Sequence, residues 1–339
     1  MAGRLLMAVI AFAGFLATAA TAGANTLEHV RERGFLVCAA VAPLAGFAQQ
    51  DGEGRWSGFD IDICRAIAAA VLGDPNRLEF RPLRGNARFV ALQTGEIDVI
   101  VRNAPWTHRR DTIYGATYVA PTFYDGQAFL VPNALGLVSA YEMDGLSVCL
   151  LDTPDERSRL REFFFETQSA YREVVYEDIS DLGVAYRQRQ CDVLSAPGRE
   201  LNAIRRDLQD PSAHRILPER ISKELLGPVV IAGDDIWFDI VRWTVYTLIN
   251  AEEVGLTAAN LESLSNTRTP MIRRMLGLEN DYGAPLGLPA TFMADIVRAV
   301  GNYGEVYDRH FGSQTGTSLL RGQNSLWRNG GLMFAPPVR

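Results

Sequence analysis

Apolar and polar residues follow a regular pattern in the first third of the chain. Phe89, Val90 and Leu92 have the spacing of one face of a helix, and Gly95 is placed to end that helix. The next apolar run, residues 97–101, is rich in β-branched residues and is typical of a strand covered on both faces. The pattern therefore predicts a helix, a tight turn and a buried strand.

The same alternation is present on the N-terminal side of this segment. Residues 36–41 predict a strand, residues 60–72 an amphipathic helix and residues 78–82 a further strand. Together with the helix and strand that follow, these elements form two consecutive βαβ units. Such units imply a parallel sheet with right-handed crossovers and an α/β fold.

A second series of strands and helices begins after residue 132. The predicted elements are strand 147–151, helix 155–165, strand 172–176, helix 179–189 and strand 191–195. The apolar run 226–231 then leads to a helical region over residues 236–253, and the remainder is helical in pieces with a Gly/Asn-rich tail. The pattern predicts a second, smaller α/β unit followed by a return to the first.

Polar residues follow the buried strand at residues 97–101. In a parallel α/β sheet, ligands bind at the carboxyl ends of the strands, where this loop lies. The loop contains Asn103, Thr107, Arg109 and Arg110, and a guanidinium group there could bind a carboxylate or a phosphate. The alternative is that both arginines are ordinary solvated surface residues.

The first 24 residues predict export from the cytoplasm. Arg4 precedes an apolar run over residues 5–17, and Ala22-Gly23-Ala24 fits the small-residue rule for signal-peptide cleavage. The run is too short to span a bilayer. We therefore expect a signal peptide over residues 1–24 and a periplasmic protein of a Gram-negative bacterium that starts near Asn25.

Composition fits an exported globular protein of two domains. A hydrophobic fraction of 47% is sufficient for large cores, and the net charge of −7 argues against nucleic acid as a partner. Four cysteines in an oxidising compartment suggest two disulfides, for which three pairings are possible. Cys38 with Cys64 and Cys149 with Cys191 would each close a local loop; buried free thiols are the alternative.

Motifs for catalysis or metal binding are mostly missing from the sequence. The four histidines are far apart and lack ligand spacing, and neither a G-x-S-x-G elbow nor a P-loop is found. Asp60 and Asp62 could form an acid–base pair, but helix capping explains them more simply. We expect no enzyme activity, no metal and no cofactor.

Several longer motifs resemble the periplasmic substrate-binding proteins of polar amino-acid ABC transporters, and in particular the general L-amino-acid branch. They are Trp56-Ser57-Gly58-Phe59-Asp60, the segment 87–111, Tyr124-Asp125-Gly126-Gln127, Trp237-Phe238-Asp239, Gly301-Asn302-Tyr303-Gly304 and Gly330-Gly331-Leu332-Met333. The resemblance implies a type II fold with two α/β lobes that close on a ligand like a hinged clamp. It implies lobe 1 over residues 25–130, lobe 2 over 131–228 and a return to lobe 1 over 229–339. The chain would cross between lobes near residues 129–132 and 227–231.

The resemblance also implies a ligand site in the first lobe. Phe59 matches the aromatic residue that packs on the ligand side chain, and Arg110, three residues after Thr107, matches the arginine that pairs with the α-carboxylate. The family presents a hydroxyl and a backbone N–H to that carboxylate two residues before the threonine. This chain has Pro105 there, which supplies neither.

Two further departures fall in the second lobe. The family binds the carboxylate with a Gly-Thr-Thr turn, where this chain has Asp152, Thr153 and Pro154. The family holds the α-ammonium with an aspartate at a position that is Pro197 here. Since each lost charge-assisted hydrogen bond costs about 1.5–3 kcal/mol, we expect weak binding of free amino acids unless neighbours such as Asn103, Asp152 or Glu200 substitute.

Three hypotheses follow from the sequence. The first is a solute-binding protein with an altered small ligand, an organic acid or a modified amino acid, that serves an ABC permease; retention of Arg110 favours it. The second is a scaffold that has become a sensor or a subunit of an envelope complex, favoured by the three prolines. The third is a dehydratase-like enzyme on the same fold, for which the sequence shows no acid–base constellation.

Overall fold

The computed structural model describes residues 25–41, 43–83, 85–102, 105–315 and 319–339. The predicted signal segment 1–24 and Asn103 lie outside these residues. The strands are β1 (Leu36–Ala40), β2 (Gln49–Gln50), β3 (Trp56–Ser57), β4 (Leu78–Pro82), β5 (Val99–Arg102), β6 (Ala116–Tyr118), β7 (Phe123–Asp125), β8 (Gln127–Pro132), β9 (Leu146–Leu151), β10 (Tyr171–Tyr176), β11 (Val193–Pro197), β12 (His214–Ile216), β13 (Glu224–Leu226) and β14 (Val229–Ile231).

The α-helices alternate with these strands and then continue alone towards the C-terminus. They are α1 (Thr26–Arg33), α2 (Phe59–Leu72), α3 (Ala87–Gln93), α4 (His108–Ile113), α5 (Pro154–Glu166), α6 (Ile179–Arg187), α7 (Gly198–Arg206), α8 (Asp235–Glu253), α9 (Pro270–Met275), α10 (Phe292–Val300) and α11 (Tyr303–Phe311). None of the described helices combines the length and the apolar character needed to cross a bilayer.

Two five-stranded sheets form the two lobes. The first has the order β4-β1-β5-β14-β6 and the second β10-β9-β11-β8-β12. In each sheet the first three strands are parallel, as predicted, and the last two are antiparallel to their neighbours. The predicted α/β architecture with two lobes is therefore confirmed, with mixed sheets.

The helix predicted from the apolar spacing after residue 86 is α3. Phe89 and Leu92 are buried on the sheet, whereas Val90 is 58% exposed, so it is not part of the apolar face. Asp98, the one acid in the apolar run, accepts a hydrogen bond from the Val37 backbone N–H at 2.7 Å and pairs with Arg33. Its carboxylate thus ties β1 to the turn before β5.

The C-terminal helices belong to lobe 1. Helices α10 and α11 pack on α2 and α8, and they contribute to the same apolar core. Asp62 of α2 is 3% exposed and binds Arg65 at 3.0 Å and His310 of α11 at 2.7 Å, and it also pairs with Arg309. These partners commit Asp62 to an ion-pair cluster that joins α2 to α11.

A short antiparallel ribbon of β7 and β13 links the two lobes. Its residues pair as Phe123 with Leu226, Tyr124 with Leu225 and Asp125 with Glu224. β8, which begins at Gln127, is already a strand of the second sheet, and β14 belongs to the first. The sequence predicts the crossings near residues 129–132 and 227–231. These stretches lie largely within β8 and β14, a few residues after the ribbon strands.

Both predicted disulfides are present. Cys38 bonds to Cys64 with 6.1 Å between their Cα atoms, and Cys149 bonds to Cys191 with 5.7 Å. The first joins β1 to α2 within lobe 1, and the second joins β9 to the residues just before β11 within lobe 2. No free cysteine is found among the described residues.

We predict that each disulfide stabilises its own lobe. The bridged residues are 26 and 42 positions apart, which corresponds to about 3.5 and about 4 kcal/mol in the loop-entropy estimate. Denaturant unfolding of the Cys38→Ser/Cys64→Ser and Cys149→Ser/Cys191→Ser variants measures these losses. Mass spectrometry of alkylated, unreduced wild-type protein should show no modified thiol, and four alkylated cysteines would contradict the assignment.

Candidate ligand-binding site

The lobe 1 side of the candidate site lies between β5 and α4. Thr107 caps α4, because its hydroxyl accepts the Arg110 backbone N–H at 3.4 Å. The Arg110 guanidinium donates to the Pro105 carbonyl at 2.9 Å, so it is folded back over the loop. The structure therefore brings Pro105, Thr107 and Arg110 together.

Residues 108–113 form a helix, so the prediction that Arg109 and Arg110 lie in a loop is wrong. Thr107 supplies the cap that starts the helix. Neighbouring helical residues project about 100° apart rather than to opposite faces. The backbone positions of Arg109 and Arg110 are therefore separated by about 100° around the axis of α4.

Trp106 attaches this loop to the ribbon between the lobes. Its backbone N–H donates to the Leu225 carbonyl of β13 at 2.9 Å. Its ring stacks on Tyr118 with 5.1 Å between centroids and an interplanar angle of 8°. Sequence reasoning missed this residue, although the aromatic between Pro105 and Thr107 was visible. The candidate loop is thus fixed directly to the hinge region.

Phe59 lies in the core of lobe 1. Its ring is 1% exposed and contacts Phe123, Tyr303 and Phe311 with centroid distances of 5.8–5.9 Å. A ring packed in this way offers no free face to a ligand in this conformation. Its contact with a ligand stays a prediction, and the structure shows a core residue.

The lobe 2 side of the site includes the start of α5. Thr153 caps this helix by accepting the Glu156 N–H at 3.3 Å, and Pro154 occupies its first position. Asp152 binds Arg157 at 2.7 Å, and Asp155 and Glu156 fill the first turn. The positive end of the helix dipole is therefore already matched by the chain's own acids. A ligand carboxylate would meet negative charge here.

Pro197 ends β11 and is buried opposite Gln127 of β8. The following Gly198 donates its N–H to the Gly126 carbonyl at 3.0 Å. A Cβ atom at Gly198 would lie 2.7 Å from the Asp125 carboxylate, so only glycine fits without a shift. This turn is packed against the ribbon, and Pro197 offers no side-chain acceptor to an ammonium group.

The residue after this turn, Arg199, forms a buried ion cluster. Its guanidinium contacts Asp125 at 2.8 Å and Glu224 at 2.7 Å, which face each other at the end of the ribbon. Burial lowers the pKa of Arg199, but the carboxylates of Asp125 and Glu224 outweigh burial and leave it raised. Arg199 is thus a permanent cation between two buried acids, and sequence reasoning missed it.

The carboxyl group of Glu156 is a second titratable group that this environment affects. Burial raises the pKa of its carboxyl to about 7, and the nearby Glu224 carboxylate adds to the shift. One of its carboxyl oxygens is buried without a hydrogen-bond partner among the described residues. The only sequence signal was its position in the first turn of an acidic helix.

The described residues contain no group of three His, Cys, Asp or Glu side chains that could hold a metal ion. The polar groups of the candidate site are guanidinium, hydroxyl and carboxylate groups on both sides of a hinged ribbon. Such an arrangement suits a small polar organic solute held by hydrogen bonds and ion pairs.

These features define a hinged, two-lobed binding protein, and comparison with known proteins identifies its family. Residues 36–282 match the bacterial extracellular solute-binding proteins, family 3, and the chain belongs to that family. This confirms the predicted fold class, the assignment as a solute-binding protein and the periplasmic location.

Individual relatives align over nearly the whole chain. The general L-amino acid-binding periplasmic protein AapJ of Rhizobium johnstonii is 43% identical over 100% of both chains. The glutamate/glutamine/aspartate/asparagine-binding protein BztA of Rhodobacter capsulatus is 44% identical over 97% of this chain and 99% of its own. A solved periplasmic binding protein from Brucella ovis, with glutathione bound, is 41% identical with a TM-score of 0.83 and covers 93% of this chain and 100% of its own.

We predict that Glu156→Gln stabilises the protein at alkaline pH. Because the folded-state pKa is raised from 4.5 to about 7, the unfolded chain loses its proton first, and stability falls as the pH rises through this window. The variant should be more stable than wild type by about 1–3 kcal/mol at pH 8, and the two should converge near pH 4.5. Urea unfolding between pH 4.5 and 8 measures the difference.

The matched control for this experiment is Asp155→Asn, an exposed acid in the same helical turn. It should leave the pH dependence of unfolding as in wild type. A Glu156→Gln variant with the wild-type pH dependence would show that Glu156 ionises normally in the folded protein.

Proposed function

We propose that this protein is the receptor of an ABC transporter and binds an amino-acid-derived solute other than a free standard amino acid. Its relatives are named as amino-acid-binding proteins or transporter-binding proteins, which supports a permease as the partner. The Brucella ovis relative holds glutathione, a small peptide with an amino-acid end. A modified amino acid or a small peptide therefore fits the family and the altered site.

The observation that carries the proposal is the conflict between the two sides of the candidate site. On lobe 1, an anionic group of the ligand would contact Thr107, which caps α4, and the Arg110 guanidinium, which in this conformation donates to the Pro105 carbonyl. On lobe 2, the start of α5 is acidic and Pro197 has no carboxylate, so the usual contacts to an α-carboxylate and an α-ammonium group are missing. A ligand would place its anionic end on lobe 1 and a neutral or cationic part against lobe 2.

A second candidate function is a binding-protein scaffold that acts as a sensor or as a subunit of an envelope complex. The packing of Pro197, Gly198 and Arg199 against the ribbon favours it, because these residues serve the structure rather than a ligand. In that case the partner would be another envelope protein. We assign the chain to neither nucleic acid binding nor catalysis, since its relatives are solute-binding proteins.

We predict that none of the twenty standard L-amino acids binds with micromolar affinity. Thermal-shift measurements at millimolar ligand concentration provide the test, because a ligand far above its Kd raises Tm. Glutathione, other small peptides, acylated amino acids and organic acids complete the panel. A shift with a free standard amino acid would contradict the altered-ligand proposal, and no shift across the panel would favour the scaffold function.

For any anionic ligand found in that panel, Arg110→Ala should weaken binding at least about tenfold. The reason is the loss of a charge-assisted contact from the guanidinium. Isothermal titration calorimetry measures the change, and Arg109→Ala is the control one position earlier on α4. Equal affinity of Arg110→Ala and wild type would place the ligand elsewhere.

A further inference from the structure

The C-terminal segment returns to the first crossing strand. The Tyr124 backbone N–H donates to the Asn324 side-chain oxygen at 2.7 Å, and the Asn324 side-chain nitrogen donates to the Tyr124 carbonyl at 2.9 Å. A side-chain amide offers one acceptor and two donors, as this pairing requires. Asn324 therefore binds the outer edge of β7 as a neighbouring strand would.

Asn324 is itself firmly held on lobe 1. It is 4% exposed, and its backbone carbonyl accepts from the Arg321 guanidinium at 2.9 and 3.2 Å. Arg321 forms a two-point ion pair with Glu252 of α8 and lies 5.3 Å from the ring centroids of Tyr303 and Tyr307. The residue that binds β7 is thus anchored through Arg321 to the core of lobe 1.

Further contacts hold the ribbon at the same position. The Tyr124 hydroxyl donates to the Leu332 carbonyl at 3.3 Å, which adds a second contact from the C-terminal segment. On the opposite edge, the Leu225 carbonyl accepts from Trp106, and Leu225 is the register partner of Tyr124. Lobe 1 therefore contacts both strands of the ribbon at the same register position, the Tyr124–Leu225 pair.

Residues of lobe 2 contact β7 one residue further along, at Asp125. Arg199 binds the Asp125 carboxylate, and Gly198 donates to the Gly126 carbonyl. A Cβ atom at Gly126 would lie 2.2 Å from the Ser222 carbonyl oxygen, so the backbone is closely packed at Gly126. The first crossing passes from lobe 1 contacts to lobe 2 contacts between Tyr124 and Gly126.

We infer that the C-terminal segment is a brace that confines bending of the first crossing to this short step, and that Asn324 is its positioning residue. Without the two amide contacts, the outer edge of β7 would be free to exchange with water, and the bend could spread along the strand. The brace thereby limits how the two lobes reorient. The inference concerns the ligand-free protein and does not depend on the identity of a ligand.

Hydrogen–deuterium exchange of the ligand-free protein tests this inference. In Asn324→Leu, the amide of Tyr124 should exchange about fivefold faster or more, while peptides from β1 and α2 keep their wild-type rates. Small-angle scattering should show a changed radius of gyration. Asn329→Leu, an exposed asparagine in the same segment, is the matched control and should change neither measurement.

Unchanged exchange at Tyr124 would overturn the inference, and so would faster exchange with an unchanged radius of gyration. If Asn324→Leu does not fold, Glu252→Gln provides the second test, because it weakens the Arg321 anchor and leaves Asn324 in place. It should raise exchange at Tyr124 to a smaller extent; a wild-type rate in this variant would also overturn the inference.

Discussion

The connection between the lobes depends on a buried ion cluster in which the Arg199 guanidinium contacts both crossing strands, and Arg159 lies 3.5 Å from Glu224. Asp125 and Glu224 lie opposite each other on the two crossing strands, and both are buried. Two adjacent buried carboxylates repel each other and lose hydration, so the ribbon needs a cation at this point. Arg199 of lobe 2 supplies it. The same turn includes Pro197, which is paired with Gln127 of β8, so the turn contributes to the packing of lobe 2 against the ribbon.

The local pattern was sufficient to predict an α/β fold with two units, whereas the type II arrangement of the lobes was implied by the family resemblance. The apolar runs at β1, β5 and β9 and the spacing along α2 reflect burial within each element, which a single sequence records directly. The sequence left three cysteine pairings open, and the structure contains the local one. The antiparallel direction of β14 between β5 and β6 did not follow, because the polarity of a strand depends on the path of the whole chain. Val90 was assigned to the buried face because spacing alone does not show where a short helix turns towards solvent.

The site was only partly predictable, for a related reason. Thr107 and Arg110 are close in sequence and could be recognised together, as could the prolines at positions 105, 154 and 197. Arg199 was missed because its partner Asp125 is 74 residues away. Glu156 was missed because its pKa is raised first by burial and then by the carboxylate of Glu224, on the other crossing strand, and neither is visible in the local sequence. Trp106 acts through a backbone hydrogen bond, and side-chain identity does not reveal such a contact.

The order of the disulfides has a consequence for export. The first cysteine along the chain is bonded to the second, and the third is bonded to the fourth. A polypeptide that emerges from a secretion channel N-terminus first exposes Cys38 and Cys64 before the later pair. If each cysteine is oxidised with the next one to emerge, the bonds that form are the native ones and need no reshuffling.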